Sequence, residues 1–309
     1  MPWIILLAAA GFYLFFIAAP SVVAGILVFK VRPGAGFEEL TADGQQFAPY
    51  RKLLTAARER LNELSWEQVE TGAFDGAALC GMYADGGSDR TVIFAHGYRS
   101  DIMINFAVQA EAFARHGYNI LMIRQRGQLP GSGQRCTLGL LEQYDLCSWN
   151  EWALSRRGVR STVIYGMSMG ASAAAFASDK LSPGGITALI LDCGFSSPYE
   201  QIYGECKKRH LPGPLMMPVI RLTAWLQFHK DLKAQVKDSF AQTAIPCFFL
   251  HGTGDTTVPI ERGRANYISC ASKKYFFTAE GAGHTEAFLA EPERAEKELF
   301  DFLKEVNDL

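Results

Sequence analysis

Apolar and polar positions divide the chain into three regimes. The first is an unbroken apolar run: from Ile4 to Phe29 there is no Asp, Glu, Lys, Arg or His. As a helix rising about 1.5 Å per residue it reaches about 39 Å, more than the roughly 30 Å hydrocarbon core of a bilayer. Residues 1–32 are therefore predicted to form a single-pass membrane anchor, kinked at Pro20, with Trp3 at the interface. A cleaved signal peptide ending at Val22-Val23-Ala24 is the alternative, giving a secreted or cell-surface protein. No Lys or Arg precedes the run, however, and it is long for a signal peptide. Lys30 and Arg32 flank its C-terminal end, and the positive-inside rule then places the remaining chain in the cytoplasm.

The second regime, 33–65, is a linker with Pro33, Gly34 and Gly36, followed by Leu53, Leu54, Ala57 and Leu61 at helical spacing. That spacing predicts an amphipathic helix over roughly 48–64. In the third regime short apolar runs recur: Thr91–Ala95, Asn119–Ile123, Thr162–Tyr165, Ile186–Leu191, Cys247–Leu250 and Tyr275–Phe277. Runs apolar on both faces suit a parallel sheet covered on both sides, and the intervals Phe106–Arg115, Leu141–Ser155 and Ala171–Asp179 are helix-sized. The predicted architecture is a doubly wound, mostly parallel α/β sheet, closed by an amphipathic helix carrying Ala295, Leu299, Phe302, Leu303 and Val306. One interval, Phe195–Ala244, is too long for a simple crossover. Its centre, Leu211 to Phe228, is rich in large apolar residues, so a helical cap over about 197–244 is expected, with Met216, Met217, Trp225 and Phe228 as candidate pocket residues. The competing reading is a crossover helix packed only on the sheet.

Composition narrows the function. With 30 Lys+Arg against 32 Asp+Glu the chain lacks the basic surface that nucleic-acid binding needs, and nucleic acid is excluded as a partner. Seven cysteines, without a C-x-x-C pair, argue against a disulfide framework and a zinc site, so no metal is expected.

The chemistry lies at the ends of the predicted strands. Gly166-Met167-Ser168-Met169-Gly170 fits G-x-S-x-G, in which flanking glycines let a serine occupy a tight strand-to-helix turn with its hydroxyl exposed. The motif is short, and its context carries it: an apolar strand leads in and Ala171-Ser172-Ala173-Ala174-Ala175 leads out. A serine nucleophile needs a base and an acid, in the order Ser, Asp, His on this kind of sheet. Asp255 follows the Cys247–Leu250 strand, and His284 follows Tyr275–Phe277 within Glu280-Gly281-Ala282-Gly283-His284. Asp192 is the rival acid. His96 and His251 are expected to brace loops, His116 and His210 to be surface residues and His229 a cap residue. His96-Gly97-Tyr98-Arg99 follows the first apolar strand, so the backbone N–H groups of Tyr98 and Met169 are the candidate oxyanion donors.

From about Trp66 to the C-terminus the chain resembles an α/β-hydrolase of the serine aminopeptidase/esterase-like group, often preceded by one membrane helix. The resemblance rests on Asp75-Gly76, Phe94-Ala95-His96-Gly97, Arg126-Gly127 with Gly131-Ser132-Gly133, the serine motif, Leu191-Asp192, Gly252/Asp255/Val258-Pro259 and Gly281-Ala282-Gly283-His284. It departs from the group at Arg124–Pro130, where a compact Asp/Arg-Gly-His-Gly-x-Ser pattern is usual. The resemblance implies a hydrolase domain over 66–309 with no cofactor and no metal. The expected activity is cleavage of a carboxylic ester or thioester, from a small-molecule or lipid-like acyl substrate, through an acyl-enzyme on Ser168. A serine peptidase of the same clan and a non-catalytic membrane-tethered scaffold are the alternatives. A chain beginning near Val31 is expected to be soluble and active.

Overall fold

Short runs of β-branched and aromatic residues with both faces apolar can bury themselves only between two helical layers, and eight strands do so here. In the computed structural model, residues 2–30, 45–100, 102–127, 135–182 and 184–307 are described. Arg32, the linker residues Pro33, Gly34 and Gly36, and the 128–134 part of the departing loop, with Gly131-Ser132-Gly133, lie outside them. The strands are β1 (Trp66–Gly72), β2 (Ala78–Ala84), β3 (Arg90–Ala95), β4 (Asn119–Ile123), β5 (Ser161–Met167), β6 (Ile186–Asp192), β7 (Cys247–Gly252) and β8 (Lys274–Ala279), in the order β1-β2-β4-β3-β5-β6-β7-β8. The two pairings of β2 are antiparallel and the rest are parallel.

All six strands expected from apolar runs are present, within a few residues of the predicted bounds. The β1–β2 hairpin was not foreseen. In β1 only Val69 is buried, because it is an edge strand with water beside it, and its sequence Trp-Glu-Gln-Val-Glu-Thr-Gly carries no apolar run.

Side chains alternate across the sheet with period two. Ile93, Leu121, Ile164, Leu189 and Phe249 enter one core beneath helices Glu142–Ser155 and Met169–Ala177. Val92, Ile120, Val163, Ile190 and Phe248 enter the other, beneath Arg51–Asn62, Ile102–Arg115 and Pro292–Asn307. The chain winds one way from β3 to β4 and the other way from β3 to β5, so a crevice opens at the carboxyl ends of β3 and β5, where open α/β sheets bind ligands.

Between β6 and β7 the chain forms three helices, Pro198–Lys208, Gly213–Phe228 and Val236–Phe240, which make up the expected helical insertion. The apolar N-terminal run is helical over Trp3–Phe29, long and apolar enough to cross a membrane, with a π-helical turn at Leu14–Ala18 just before Pro20. Its second half packs on the α/β domain. Ser21, Gly25 and Phe29, four residues apart, form a buried stripe against Gly213–Phe228, and Phe29 meets Phe228 edge-on at 5.0 Å between ring centroids. Phe29 has no exposed surface and belongs to the first core. A chain beginning near Val31, expected to be soluble and active, would lack this buried residue.

Candidate active site

The strand β5 runs into helix Met169–Ala177 with one residue between them, Ser168, held at φ 53° and ψ −113°. A non-glycine residue with positive φ costs about 1–3 kcal/mol and persists only where its surroundings force it. The forcing is visible at Gly170, where a Cβ would lie 1.9 Å from the carbonyl oxygen of Ala95, and at Gly166, where it would lie 2.4 Å from that of Gly170. The two glycines let the helix sit against β3 and β5, and the turn projects the serine from the carboxyl edge. The Ser168 N–H donates to the Asp192 carbonyl at 2.7 Å, fixing the turn to β6.

His284 reaches the serine from the loop after β8. The Ser168 hydroxyl donates to its Nε2 at 2.9 Å, and its Nδ1–H donates to Asp255 Oδ2 at 2.7 Å. Asp255, on the loop after β7, has a buried carboxylate whose other oxygen accepts the N–H groups of Thr257 and Val258, each at 2.8 Å. Burial alone would raise its pKa. The hydrogen bonds from His251 and His284 and the charge of His284 outweigh that and hold the carboxyl well below the usual carboxylate range. Asp255 is thus an anion throughout the range in which a histidine titrates.

Asp192 plays no such part. It is fully buried, accepts a long hydrogen bond from the Tyr165 hydroxyl (3.4 Å) and makes no hydrogen bond to His284; burial pushes its carboxyl up to about 6 against the opposing influence of His251, the Cys193 thiol and the more distant charge of His284. Among the described residues its Oδ1 has no hydrogen-bond partner.

The bracing histidines behave as their strand-end positions predict. His96 is buried, donates from Nδ1 to the Gly97 carbonyl at 2.7 Å and accepts the Gln125 N–H at Nε2 (3.1 Å), which fixes its neutral tautomer. His251 donates to the Val258 carbonyl at 2.8 Å and lies 3.3 Å from Asp255 Oδ2, so it supports the acid loop directly. His116, His210 and His229 are exposed. In the departing loop, Arg126 forks onto Asp145 through contacts of 2.6 and 2.5 Å and reaches Asp75 at 2.8 Å, tying the β1–β2 turn to helix Glu142–Ser155.

Other supports of the histidine loop carried no sequence signal. The Glu286 carboxylate accepts the Gly283 N–H at 3.0 Å and the Tyr50 hydroxyl at 3.4 Å, and Gln46 donates to the His284 carbonyl at 2.5 Å. Gln46 and Tyr50 lie more than 230 residues from His284, and no local pattern links them.

Ser168 and His284 open into a cavity of about 690 Å³, a volume suited to a small ligand. Its lining combines the apolar Ala24, Leu27, Val28, Leu138, Phe195 and Ile202 with the polar Gln201, Glu205 and Arg209, and Gly97 and Tyr98 border the same cavity. Of the four residues expected to line a pocket, none borders this cavity. Met216 and Met217 are buried in the cap core, Phe228 is spent on Phe29, and Trp225 is half exposed on the outside. The inner face of Gly213–Phe228 is occupied by the N-terminal helix, which takes the place beside the serine that had been expected for the cap. Among the described residues one metal-capable group, Cys193, Asp255 and His284, gathers ligand atoms within 4.8 Å, but Asp255 and His284 are already hydrogen-bonded to each other.

Comparison with known proteins accords with this arrangement. Residues 90–218 match the family model of the alpha/beta hydrolase fold. Over 163 residues the chain is 28% identical to the human protein ABHD12B, a match covering 49% of this chain and only 41% of that relative. An esterase from Pyrococcus furiosus superposes with a TM-score of 0.66 at 22% identity, over 89% of this chain and 98% of that one. Est1E from Butyrivibrio proteoclasticus gives 0.57 at 17% identity, over 77% and 100%, and a thermophilic esterase from Thermogutta terrifontis 0.56 at 20%, over 78% and 99%.

Proposed function

Since this chain has the α/β-hydrolase fold, we propose that it is a serine hydrolase that cleaves carboxylic esters or thioesters of apolar acyl groups. The observation that carries the reading is the unbroken hydrogen-bonded relay from Asp255 through His284 to Ser168, ending in a cavity with an apolar wall. Ser168 Oγ attacks the acyl carbonyl carbon while His284 Nε2 takes its proton. Asp255 holds the tautomer with Nδ1–H and stabilises the imidazolium that forms. The carbonyl oxygen, now an anion, is received by the backbone N–H groups of Tyr98 and Met169, the latter at the positive end of helix Met169–Ala177. The leaving alkoxide or thiolate takes the proton from His284, and water, deprotonated by the same imidazole, frees Ser168 from the acyl group.

The three esterases of like fold support the reaction class, and the wall of Ala24, Leu27 and Val28 supports an acyl chain over an amino acid side chain with a free amine. The Trp3–Phe29 helix supports attachment to a membrane. The test is a fluorophosphonate probe, with a panel of p-nitrophenyl esters, acyl-CoA thioesters and aminoacyl anilides on the full chain in detergent. Labelling at Ser168 and turnover of esters or thioesters are expected. Turnover confined to the anilides would make it a peptidase, and absence of both labelling and turnover would leave a non-catalytic scaffold.

A further inference from the structure

A helix that serves only as a tether leaves its last carbonyls to water or lipid headgroups, since the final turn of any helix has no intrahelical donors for them. The end of the N-terminal helix is satisfied by the catalytic domain instead. The Tyr98 hydroxyl donates to the Val28 carbonyl at 2.6 Å, and the Arg99 guanidinium donates to the carbonyls of Leu27 and Lys30. One turn earlier the Gln227 amide donates to the Gly25 carbonyl at 3.3 Å. Tyr98 and Arg99 are adjacent residues of the loop after β3, the loop that faces Ser168. Arg99 adopts φ 52°, a conformation that a residue bearing a Cβ tolerates poorly and keeps only where its surroundings enforce it, and the side chains of Tyr98 and Arg99 both end on the helix terminus. An arginine is well matched to that end, as its positive charge meets the negative pole of the helix dipole and its fork spans two carbonyls.

The helix also divides its sides among three tasks. Ser21, Gly25 and Phe29 pack on Gly213–Phe228; Val22, Val23 and Ile26 are exposed; and Ala24, Leu27 and Val28 line the cavity that holds Ser168 and His284, Leu27 at its open edge with half its surface exposed. Its last two turns therefore line the cavity of Ser168 and His284, and their end holds the Tyr98–Arg99 loop that lines the same cavity.

From this arrangement we infer that the last two turns of the N-terminal helix are part of the active site: Ala24 and Leu27 set the acyl chain length accepted, and Arg99 is a positioning residue that fixes the Tyr98 backbone by gripping the helix end. The inference deepens the hydrolase reading and rests on it. An acyl chain leaving Ser168 along this wall runs beside the helix towards its exposed apolar sides, so acyl donors dissolved in the lipid phase fit better than water-soluble ones. The role of Arg99 acts through geometry, so its loss moves kcat for every substrate, whereas a change at the wall moves the ratio between long and short chains.

The experiment uses the full chain in detergent micelles with p-nitrophenyl acetate to p-nitrophenyl laurate, and checks each variant by melting temperature. Ala24→Leu should lower the kcat/KM ratio of octanoate to acetate at least fivefold, and Leu27→Ala should shift the optimum to longer chains. Val23→Ala, on the outward side, should leave the ratio as it is. Arg99→Gln should lower kcat at least tenfold at every chain length with KM within twofold, and Arg99→Lys should recover part of that loss. Ratios unmoved by both wall variants would overturn the acyl-wall assignment, and an undiminished kcat in Arg99→Gln would overturn the positioning role. Fluorophosphonate labelling of the wild type separates this from failure of the hydrolase reading. Should labelling and turnover both be missing, the wall is read from 1-anilinonaphthalene-8-sulfonate bound in the cavity, whose affinity Ala24→Leu should weaken severalfold; equal affinity would overturn it.

Discussion

Ser168 is half-buried at a turn whose shape is imposed by Gly166 and Gly170 and lines the cavity, so removing its hydroxyl leaves no void in the core. Ser168→Ala should abolish fluorophosphonate labelling and ester turnover while the melting temperature stays within a few degrees. Asp255→Asn should lower kcat by about 10⁴ because an amide favours the wrong tautomer of His284. Asp192→Asn should leave kcat within a fewfold and act on stability instead. Burial raises Asp192 to about 6, against roughly 3.9 for an unfolded aspartate. Between these values the folded chain binds more protons than the unfolded one, so the group lowers stability as pH rises from about 4 to 6, and its full cost persists above that. Asn carries no such charge, so Asp192→Asn should raise stability at pH 7.5 by on the order of 2 kcal/mol and flatten the decline between pH 4 and 6, read by urea unfolding. A loss of stability at pH 7.5 would show that the ionised carboxylate is needed structurally. The acids were distinguishable only in part from their positions, since both follow strands; the His284 contact decides between them.

At the scale of elements, the helix pair formed by the N-terminal run and Gly213–Phe228 depends on close approach. A Cβ on Gly25 would lie 3.0 Å from Thr223 Cγ2, whereas nothing lies within 4 Å of one placed on Gly11. Gly25→Leu should therefore destabilise the fold by about 1–3 kcal/mol through overpacking, and Gly11→Leu, in the same helix, should not. Thermal unfolding in detergent checks the contrast. Trp225 is half exposed and borders no part of the cavity, so Trp225→Ala should leave the chain-length profile unchanged, as an ester series would report. Apolar richness identified this cap helix, because burial on some face was required. Which face meets which partner was not legible, as its apolar residues lie nearly all around it: Met217 and Ile220 face inwards while Leu215, Leu222 and Leu226 face outwards.

For the whole molecule, the N-terminal helix ties two regions together. Phe29 fills a gap in the first core, and burying such a side chain stabilises by roughly 1.5–3 kcal/mol. A chain beginning at Val31 loses that contribution, the partner of Phe228 and one wall of the cavity. It should aggregate at micromolar concentration or melt well below the full chain, with ester turnover reduced at least tenfold, measured by light scattering and p-nitrophenyl butyrate hydrolysis. Full activity in the shorter chain would show that the helix is only a tether.

The sequence by itself determined what rests on local geometry and on burial. Short runs apolar on both faces specify six strands, the glycines around Ser168 specify its turn, and the order Ser168, Asp255, His284 follows from their places after β5, β7 and β8. The run from Ile4 to Phe29 determines a helix able to cross a bilayer, because it is apolar, uncharged and long enough to match the hydrocarbon core, where a helix satisfies its own backbone. Tertiary structure alone decided what depends on contacts between distant segments. It chose Asp255 over Asp192, joined Gln46 and Tyr50 to the histidine loop, and gave the cavity wall to Ala24, Leu27 and Val28 in place of the cap residues. For the last two, a hydrogen bond or packed face spanning well over a hundred residues leaves no periodicity in the chain, so only the fold brings its two halves together; for the acids, Asp255 and His284 are only 29 residues apart, but both carboxylates end strands and only the contact itself selects one.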